Sequence, residues 1–152
     1  MARLTVREGT AADWPFVEDL GARVLDSSRV RGAGAAEMLT GYERLLDAVR
    51  AGEHRLFVAQ ERERAVGFLL LLESLADEVT LQPQGFIAYM AVEPGSRRSG
   101  VGASLLARAE DEAKRHGLPY ISLMVTEGNE PAVRLYESAG YFTERRLLCK
   151  RL

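Results

Sequence analysis

A buried strand, a glycine turn and an amphipathic helix follow one another between residues 86 and 113, and this succession constrains the fold more than any other part of the chain. Residues 86–92 are almost wholly apolar, which is typical of a strand inside a sheet. The turn at residues 97–102 holds two glycines. The helix that follows has an apolar face made of Val101, Leu105, Leu106, Ala109 and Ala113. A strand that leads through such a turn into a helix predicts an α/β domain.

The rest of the chain supplies further strands and helices. Residues 10–13 resemble a capping box, Pro15 suits a first helical turn, and a second helix is predicted from Ala35 to Ala51, ending at Gly52. Residues 74–84 are polar and predict a loop. Strands are predicted at residues 4–7, 56–59, 65–71, 120–125 and 141–152, and a last helix at 130–139. We therefore expect one domain, residues 1–152, with a mixed α/β sheet in one layer and helices on its faces.

Charge and cysteine content limit the functional classes. The net charge of -2, from 20 basic and 22 acidic side chains among 152 residues, gives no support for nucleic-acid binding through bulk charge. The single cysteine, Cys149, excludes an intrachain disulfide and suits a reducing compartment. The chain shows neither a signal peptide nor an apolar run of the roughly 20 residues that span a bilayer. These features predict a cytoplasmic protein without membrane or nucleic-acid partners.

The glycine turn has the chemistry of an anion site. The first turn of a helix leaves backbone N–H groups without partners, and the helix dipole adds partial positive charge there. Gly100 and Gly102 would let a phosphate approach these N–H groups, and Arg97 and Arg98 would add charge. The sequence lacks the lysine of a P-loop, and Leu105 stands where a dinucleotide fingerprint needs a small residue. From the residues alone, a plain strand-to-helix turn remains an alternative.

A second motif lies in the predicted helix 130–139. Asn129, Ala132 and Tyr136 are spaced i, i+3 and i+7, so they share one helical face. Asn129 could simply cap the helix, and Tyr136 could simply be a core residue whose hydroxyl reaches a polar group. The spacing alone leaves these structural roles open beside ligand binding.

Together these motifs resemble the GNAT superfamily of N-acetyltransferases. Residues 97–102 are similar to its Gln/Arg-x-x-Gly-x-Gly/Ala signature, and residues 129–141 are similar to its second conserved block. The resemblance implies six to seven strands, four helices, and a slot where the fourth strand bulges and splays from the fifth. It also implies that coenzyme A is bound by Met90, Ala91, Val92, Arg97, Arg98, Ser99, Gly100, Val101, Gly102, Ala103, Asn129 and Tyr136.

The resemblance further implies an activity. A chain of this kind transfers the acetyl group of acetyl-coenzyme A to a primary amine of a small molecule or protein, without a metal ion. Tyr136 would act as the general acid toward the leaving thiolate. The first two helices, the link at residues 29–34 and the loop 74–84 would form the acceptor site, and a homodimer would be compatible with the family. The alternative is an acyl-coenzyme A sensor or interaction module on the same fold.

The resemblance does not identify a general base. Some branches of the family carry a glutamate in the fourth strand or in the fifth strand, where this chain has Ala88 and Met124. The remaining candidates are Glu127, His54, Tyr89 and Glu73, and Glu73, at the end of the third strand, is the best of them. Ordered water could instead accept the proton of the amine.

Overall fold

A computed structural model describes residues 3–152, so the first two residues of the expected domain 1–152 lie outside the described residues. One five-stranded sheet has the order β1-β2-β3-β4-β5. The strands β1 to β4 are antiparallel neighbours, and β5 is parallel to β4. Their bounds are Leu4–Glu8, Arg55–Glu61, Arg64–Leu72, Gly85–Val92 and Ile121–Leu123.

Four α-helices cover the sheet, and the chain forms a mixed α/β fold as predicted. Their bounds are Trp14–Arg23 for α1, Ala35–Ala51 for α2, Val101–Arg115 for α3 and Glu130–Ser138 for α4. Short 3-10 helices occur at Ala11–Asp13, Leu25–Ser28 and Pro94–Ser96. Across residues 3–152, no helix has both the length and the apolar character needed to cross a membrane.

The two faces of the sheet bury separate apolar clusters. Successive side chains of a strand point to opposite faces. In β3, Phe68 and Leu70 therefore pack under α1 and α2, whereas Leu69 and Leu71 pack under α3. Because both faces are covered, β3 is apolar along nearly its whole length.

The predicted capping box at the first helix is confirmed. The backbone N–H of Thr10 donates to Asp13 Oδ2 at 2.7 Å, and the Thr10 hydroxyl accepts from the Ala12 N–H at 3.3 Å. The Arg7 guanidinium donates to both oxygens of Asp13, at 2.7 and 2.8 Å. These bonds tie the start of α1 to β1.

The prediction of a last strand at residues 141–152 is wrong, and the sheet has five strands rather than six to seven. This C-terminal tail has no regular secondary structure. Phe142, Leu147 and Leu148 are all exposed, so no alternation of buried and exposed positions fixes a strand register. Side-chain pairs hold the tail instead: Arg145 binds Asp77, and Arg151 lies 3.4 Å from Glu37.

Candidate active site

A slot opens where β4 and β5 separate. The parallel ladder has three positions and ends at the pair Ile87 and Leu123, although β4 continues to Val92. Among the described residues, 89–92 of β4 pair only with β3 on the opposite edge. We call the gap between residues 88–92 and the segment 124–128 the slot. Its strand edge leaves backbone groups, including those of the predicted residues 90–92, for an extended ligand to pair with.

A bulge in β4 sets the side-chain directions beside the slot. Tyr89 pairs with Leu70, but Leu71 pairs with Ile87, so Ala88 is the extra residue. As a result, Ala88 and Tyr89 both pack toward the α1–α2 face. Met90, which follows them, packs toward α3. The bulge that the resemblance implies is therefore present, and it aims Tyr89 away from the helix that carries the glycine turn.

The glycine turn begins α3 as the sequence predicts. Gly100 has a φ of +82°, a left-handed conformation that favours glycine. The Ser104 N–H donates to the Gly100 carbonyl at 3.0 Å, which closes the first helical turn. The N–H groups of residues 101–103 precede this bond and have no intrahelical partner. Arg97 and Arg98 are exposed beside them, so the turn presents donors and positive charge to an anion.

Two residues of the turn have structural contacts that the sequence did not indicate. The Ser99 hydroxyl donates to the Ser96 carbonyl and lies 3.4 Å from Glu61 Oε1, so it is engaged within the protein. A Cβ on Gly102 would lie 2.8 Å from Cδ2 of Leu135. Gly102 therefore allows close packing of α3 against α4, in addition to leaving room for an anion.

Tyr136 and Asn129 lie on α4, close to the start of α3. Tyr136 is half-buried against the cluster under α3. Burial raises the pKa of Tyr136, and the neighbouring phenol of Tyr89 acts in the same direction. The phenol is thus protonated at neutral pH, which is the form that can donate a proton. Asn129 occupies the N-cap position, but its side chain makes no capping hydrogen bond, so the simple capping role is not realised.

Tyr89 lies between the slot and a second cavity. Its ring packs on Tyr42 with centroids 4.9 Å apart and stacks on Phe68 at 6.0 Å. Burial raises the pKa of Tyr89, and an interaction with the side chain of Ser28 opposes this rise. Beyond Tyr89 is an open pocket of about 620 Å³ between α2 and the segment 25–33, which we call the α2 pocket. It lies where the resemblance puts the acceptor, beside the link at residues 29–34.

The loop 74–84 is organised around a buried carboxylate. Asp77 accepts the N–H groups of Val79 and Thr80 at 2.9 and 2.7 Å, and it also binds Arg145 of the tail. These bonds hold the pKa of Asp77 far below its usual range, with the Thr80 N–H contributing most. Asp77 is thus engaged inside the protein.

The other candidate bases do not line the α2 pocket. Glu73 Oε2 lies 2.6 Å from His116 Nδ1, and Glu73 also accepts a bond from Arg55. His54 packs edge-on against Trp14, and Glu127 is exposed in the turn before α4. Of the four candidates, Tyr89 is the one that lines the α2 pocket.

Glu73 belongs to an ion-pair cluster at the far end of α3. Glu73, Glu112 and His116 bring their possible ligand atoms within 4.8 Å of one another. The Arg55 guanidinium, however, pairs with both carboxylates and lies 3.0 Å from Glu112. Because this guanidinium already balances the acids, the arrangement fits an ion-pair cluster that joins β2, β3 and α3.

Comparison with known proteins links this geometry to one family. The Acetyltransferase (GNAT) family matches the chain over residues 17–141. A mycothiol acetyltransferase from Thermomonospora curvata is 34% identical over 86 residues, which is 57% of this chain and 27% of that protein. The [Ribosomal protein bS18]-alanine N-acetyltransferase of Escherichia coli is 29% identical over 91 residues, which is 57% of this chain and 62% of the enzyme. The chain thus spans less than two thirds of these relatives.

A solved structure extends the similarity to nearly the whole chain. The structure described as a putative acetyl transferase from Pyrococcus furiosus superimposes with a TM-score of 0.84 and 28% identity. The match covers 99% of this chain and 100% of that one. The described fold is therefore similar to that of the Pyrococcus furiosus protein over nearly the whole length of both chains.

Proposed function

Because this chain belongs to the GNAT acetyltransferase family, we propose that it transfers an acetyl group from acetyl-coenzyme A to a primary amine. The observation that carries the proposal is the unpaired edge of β4, which leads directly into the open N-terminus of α3. An extended thioester arm needs the first feature and a pyrophosphate needs the second. The free strand edge and the helix N-terminus follow one another along this chain.

The donor site is proposed to use two kinds of contact. The N–H groups of residues 98–103, with the guanidinium groups of Arg97 and Arg98, would bind the pyrophosphate. Backbone groups of residues 90–92 would pair with the pantetheine arm, and Asn129 would contact it from α4. These hydrogen-bonding groups fit an elongated anion, because the guanidinium groups of Arg97 and Arg98 lie at one end of an uncharged strand edge.

The chemistry follows from the placement of the phenol. The amine nitrogen forms a bond to the thioester carbonyl carbon, and the carbon–sulfur bond then breaks. A backbone N–H of the β4 edge would stabilise the charge that develops on the carbonyl oxygen. Tyr136 would donate its proton toward the departing thiolate, which leaves as the free thiol. The proton lost by the attacking amine passes to a base or to water, so the products are an N-acetylated amine and coenzyme A.

The general base that accepts the proton of the amine is not assigned to a single residue. Glu73 stays a candidate, but its bonds to Arg55 and His116 favour a structural role. Tyr89 borders the pocket, yet its raised pKa makes the phenol a poor proton acceptor at neutral pH. Proton loss to water, with Tyr89 and Ser28 orienting the amine, is the mechanism that these contacts favour.

Thiol release from acetyl-coenzyme A in the presence of amines tests this function. Arg98→Ala is expected to raise the KM for acetyl-coenzyme A about 10-fold, because charged hydrogen bonds to phosphate are lost. Lys114→Ala is the matched control, since it removes a positive charge at the opposite end of the same helix. Equal effects of the two substitutions would argue against pyrophosphate binding at the turn.

A second candidate function is an acyl-coenzyme A sensor. The engagement of Glu73 and Asp77 in ion pairs favours it, because neither carboxylate is presented to the α2 pocket. A sensor would bind acetyl-coenzyme A without releasing thiol on any amine. The cytoplasmic location and the homodimer stay predictions under either function.

A further inference from the structure

We infer that the α2 pocket receives the acceptor, and that the acceptor is a small primary amine carried on an uncharged, apolar body. This inference rests on the proposed acetyltransferase function and names the substrate class of that same site. It is carried by the position, the lining and the charge of the pocket.

Tyr89 joins the pocket to the slot, because it lines the pocket and lies on β4 beyond the end of the β5 ladder. Tyr89 lines the pocket, and its phenol lies near enough to Tyr136 to contribute to the raised pKa of that residue. Thr126, in the segment after β5, donates to the Ser28 carbonyl at 3.0 Å and joins the far wall of the slot to the pocket wall. A molecule seated in the pocket would therefore direct its amino group past Tyr89 toward the thioester.

The lining favours an apolar body. Hydrocarbon and thioether side chains form the largest group in the lining, and Ser28, Thr40, Tyr42 and Tyr89 add neutral hydroxyls. The apolar residues are Leu25, Val30, Ala33, Ala36, Met38 and Leu45. Its volume of about 620 Å³ lies in the range of small-molecule sites, which are mainly apolar with a few placed polar groups.

The charges of the pocket disfavour a polycation. Glu37 is the acid of the described lining, and Arg151 of the C-terminal tail already lies 3.4 Å from it. Arg44 also lines the pocket, and Arg31 is exposed in the adjoining link. A second ammonium group on the acceptor would meet positive charge rather than an available carboxylate. The acceptor should thus carry its single amino group at the end that reaches Tyr89.

An acceptor series gives the direct test. Thiol release is measured with linear amines from propylamine to hexylamine, with phenethylamine, spermidine, ethanolamine and a short peptide with a free alanine N-terminus. For the linear series, kcat/KM is expected to rise about three- to fourfold per added methylene while the pocket fills. Spermidine and ethanolamine are expected to react more slowly than hexylamine.

Variants of α2 connect the preference to the pocket. Met38→Ser is expected to raise the KM for hexylamine about fivefold and to leave the KM for acetyl-coenzyme A unchanged. Leu39→Ser is the matched control, because Leu39 is the next residue of α2, is exposed and is not part of the lining. Ala36→Phe should narrow the pocket and reduce the activity with hexylamine more than that with propylamine.

The outcomes separate the two proposals. Faster reaction of spermidine or of the peptide than of every apolar amine would overturn the acceptor class and leave the acetyltransferase function standing. Equal effects of Met38→Ser and Leu39→Ser would overturn the placement of the acceptor in the α2 pocket. Binding of acetyl-coenzyme A without thiol release on any acceptor would overturn the enzyme function, and this inference with it.

Discussion

Substitution of Gly67 by alanine should show how strongly the start of α3 depends on its contact with the sheet. A Cβ at this buried position of β3 would lie 2.9 Å from Val101 Cγ1, 3.0 Å from the Ala91 carbonyl oxygen and 3.2 Å from Leu105 Cδ1. Carbon atoms in contact normally lie about 3.5–4.0 Å apart. The Ala91 carbonyl belongs to the β3–β4 ladder and cannot retreat without disturbing it. The first turn of α3 must therefore move outward.

The size of the effect follows from two opposing contributions. Overpacking of a filled core costs about 2 kcal/mol, near the middle of the usual range. Alanine in a strand recovers about 0.5 kcal/mol relative to glycine, because the unfolded chain loses conformational freedom. The net loss in the free energy of unfolding is about 1.5 kcal/mol. For a chain of 152 residues this corresponds to a fall in Tm of about 3–6 °C.

The same substitution at Gly41 is the matched control. Gly41 lies within α2, and a Cβ there would meet nothing within 4 Å. Gly41→Ala should stabilise the protein by about 1 kcal/mol through helix propensity. Thermal unfolding monitored by circular dichroism measures both effects, and they should have opposite signs.

Acetyl-coenzyme A kinetics supply the second measurement for Gly67→Ala. Displacement of Val101 moves an N–H of the proposed pyrophosphate site, so the KM for acetyl-coenzyme A should rise about 10-fold. A Tm equal to that of the unsubstituted protein would refute the packing of α3 described above. A lower Tm with an unchanged KM would refute the link between that packing and the donor site.

Three further substitutions test the site and its supports. Tyr136→Phe should lower kcat about 100-fold and leave the KM for acetyl-coenzyme A unchanged in steady-state kinetics, as expected for a general acid. Burial raises the pKa of Glu112, but the hydrogen bond from Arg108 and nearby guanidinium charges outweigh it, so the pKa is lowered. The ionised Glu112 thus stabilises the fold above the ordinary pKa of about 4.3, and urea titrations should show this contribution lost as the pH falls further. Glu112→Gln should cost about 3 kcal/mol at pH 7 and remove that pH dependence. Glu73→Gln should lower the Tm, because it weakens the bond to His116, and should change kcat less than about twofold. A 100-fold loss of kcat with an altered pH profile would instead identify Glu73 as the base.

Local sequence signals predicted most of the elements. The bounds of α2 at Ala35 and Ala51 were predicted because Gly52 ends an uninterrupted helical pattern. The strands β2 and β3 and the start of α3 after Gly100 were likewise predicted, because apolar runs and glycine positions are local properties of the sequence. The proposed site residues of the turn and of α4 lie on neighbouring segments, because a Cβ on Gly102 would lie 2.8 Å from Leu135 Cδ2.

Contacts between residues that are distant in the sequence could not be predicted from local patterns in the same way. A strand at residues 141–152 was predicted from local composition, but a strand requires a partner edge. The tail instead contacts Asp77 and Glu37 through single arginine side chains. No local sequence pattern predicts such contacts. For the same reason the sequence did not show that Arg55 and His116 engage Glu73.

The bulge at Ala88 directs two adjacent side chains toward parts of the protein that are built from different segments of the chain. Tyr89 is aimed toward a pocket built mainly from residues 25–45, whereas Met90 is aimed toward the turn and helices of residues 97–136. Under the proposed function, acceptor selection and donor binding would therefore depend on different stretches of polypeptide that meet at two adjacent side chains. Exchange of residues 25–45 for a segment of different lining would alter which amines are accepted while the thioester machinery is retained. Modular divergence of this kind would need only that the bulge and Tyr89 are preserved.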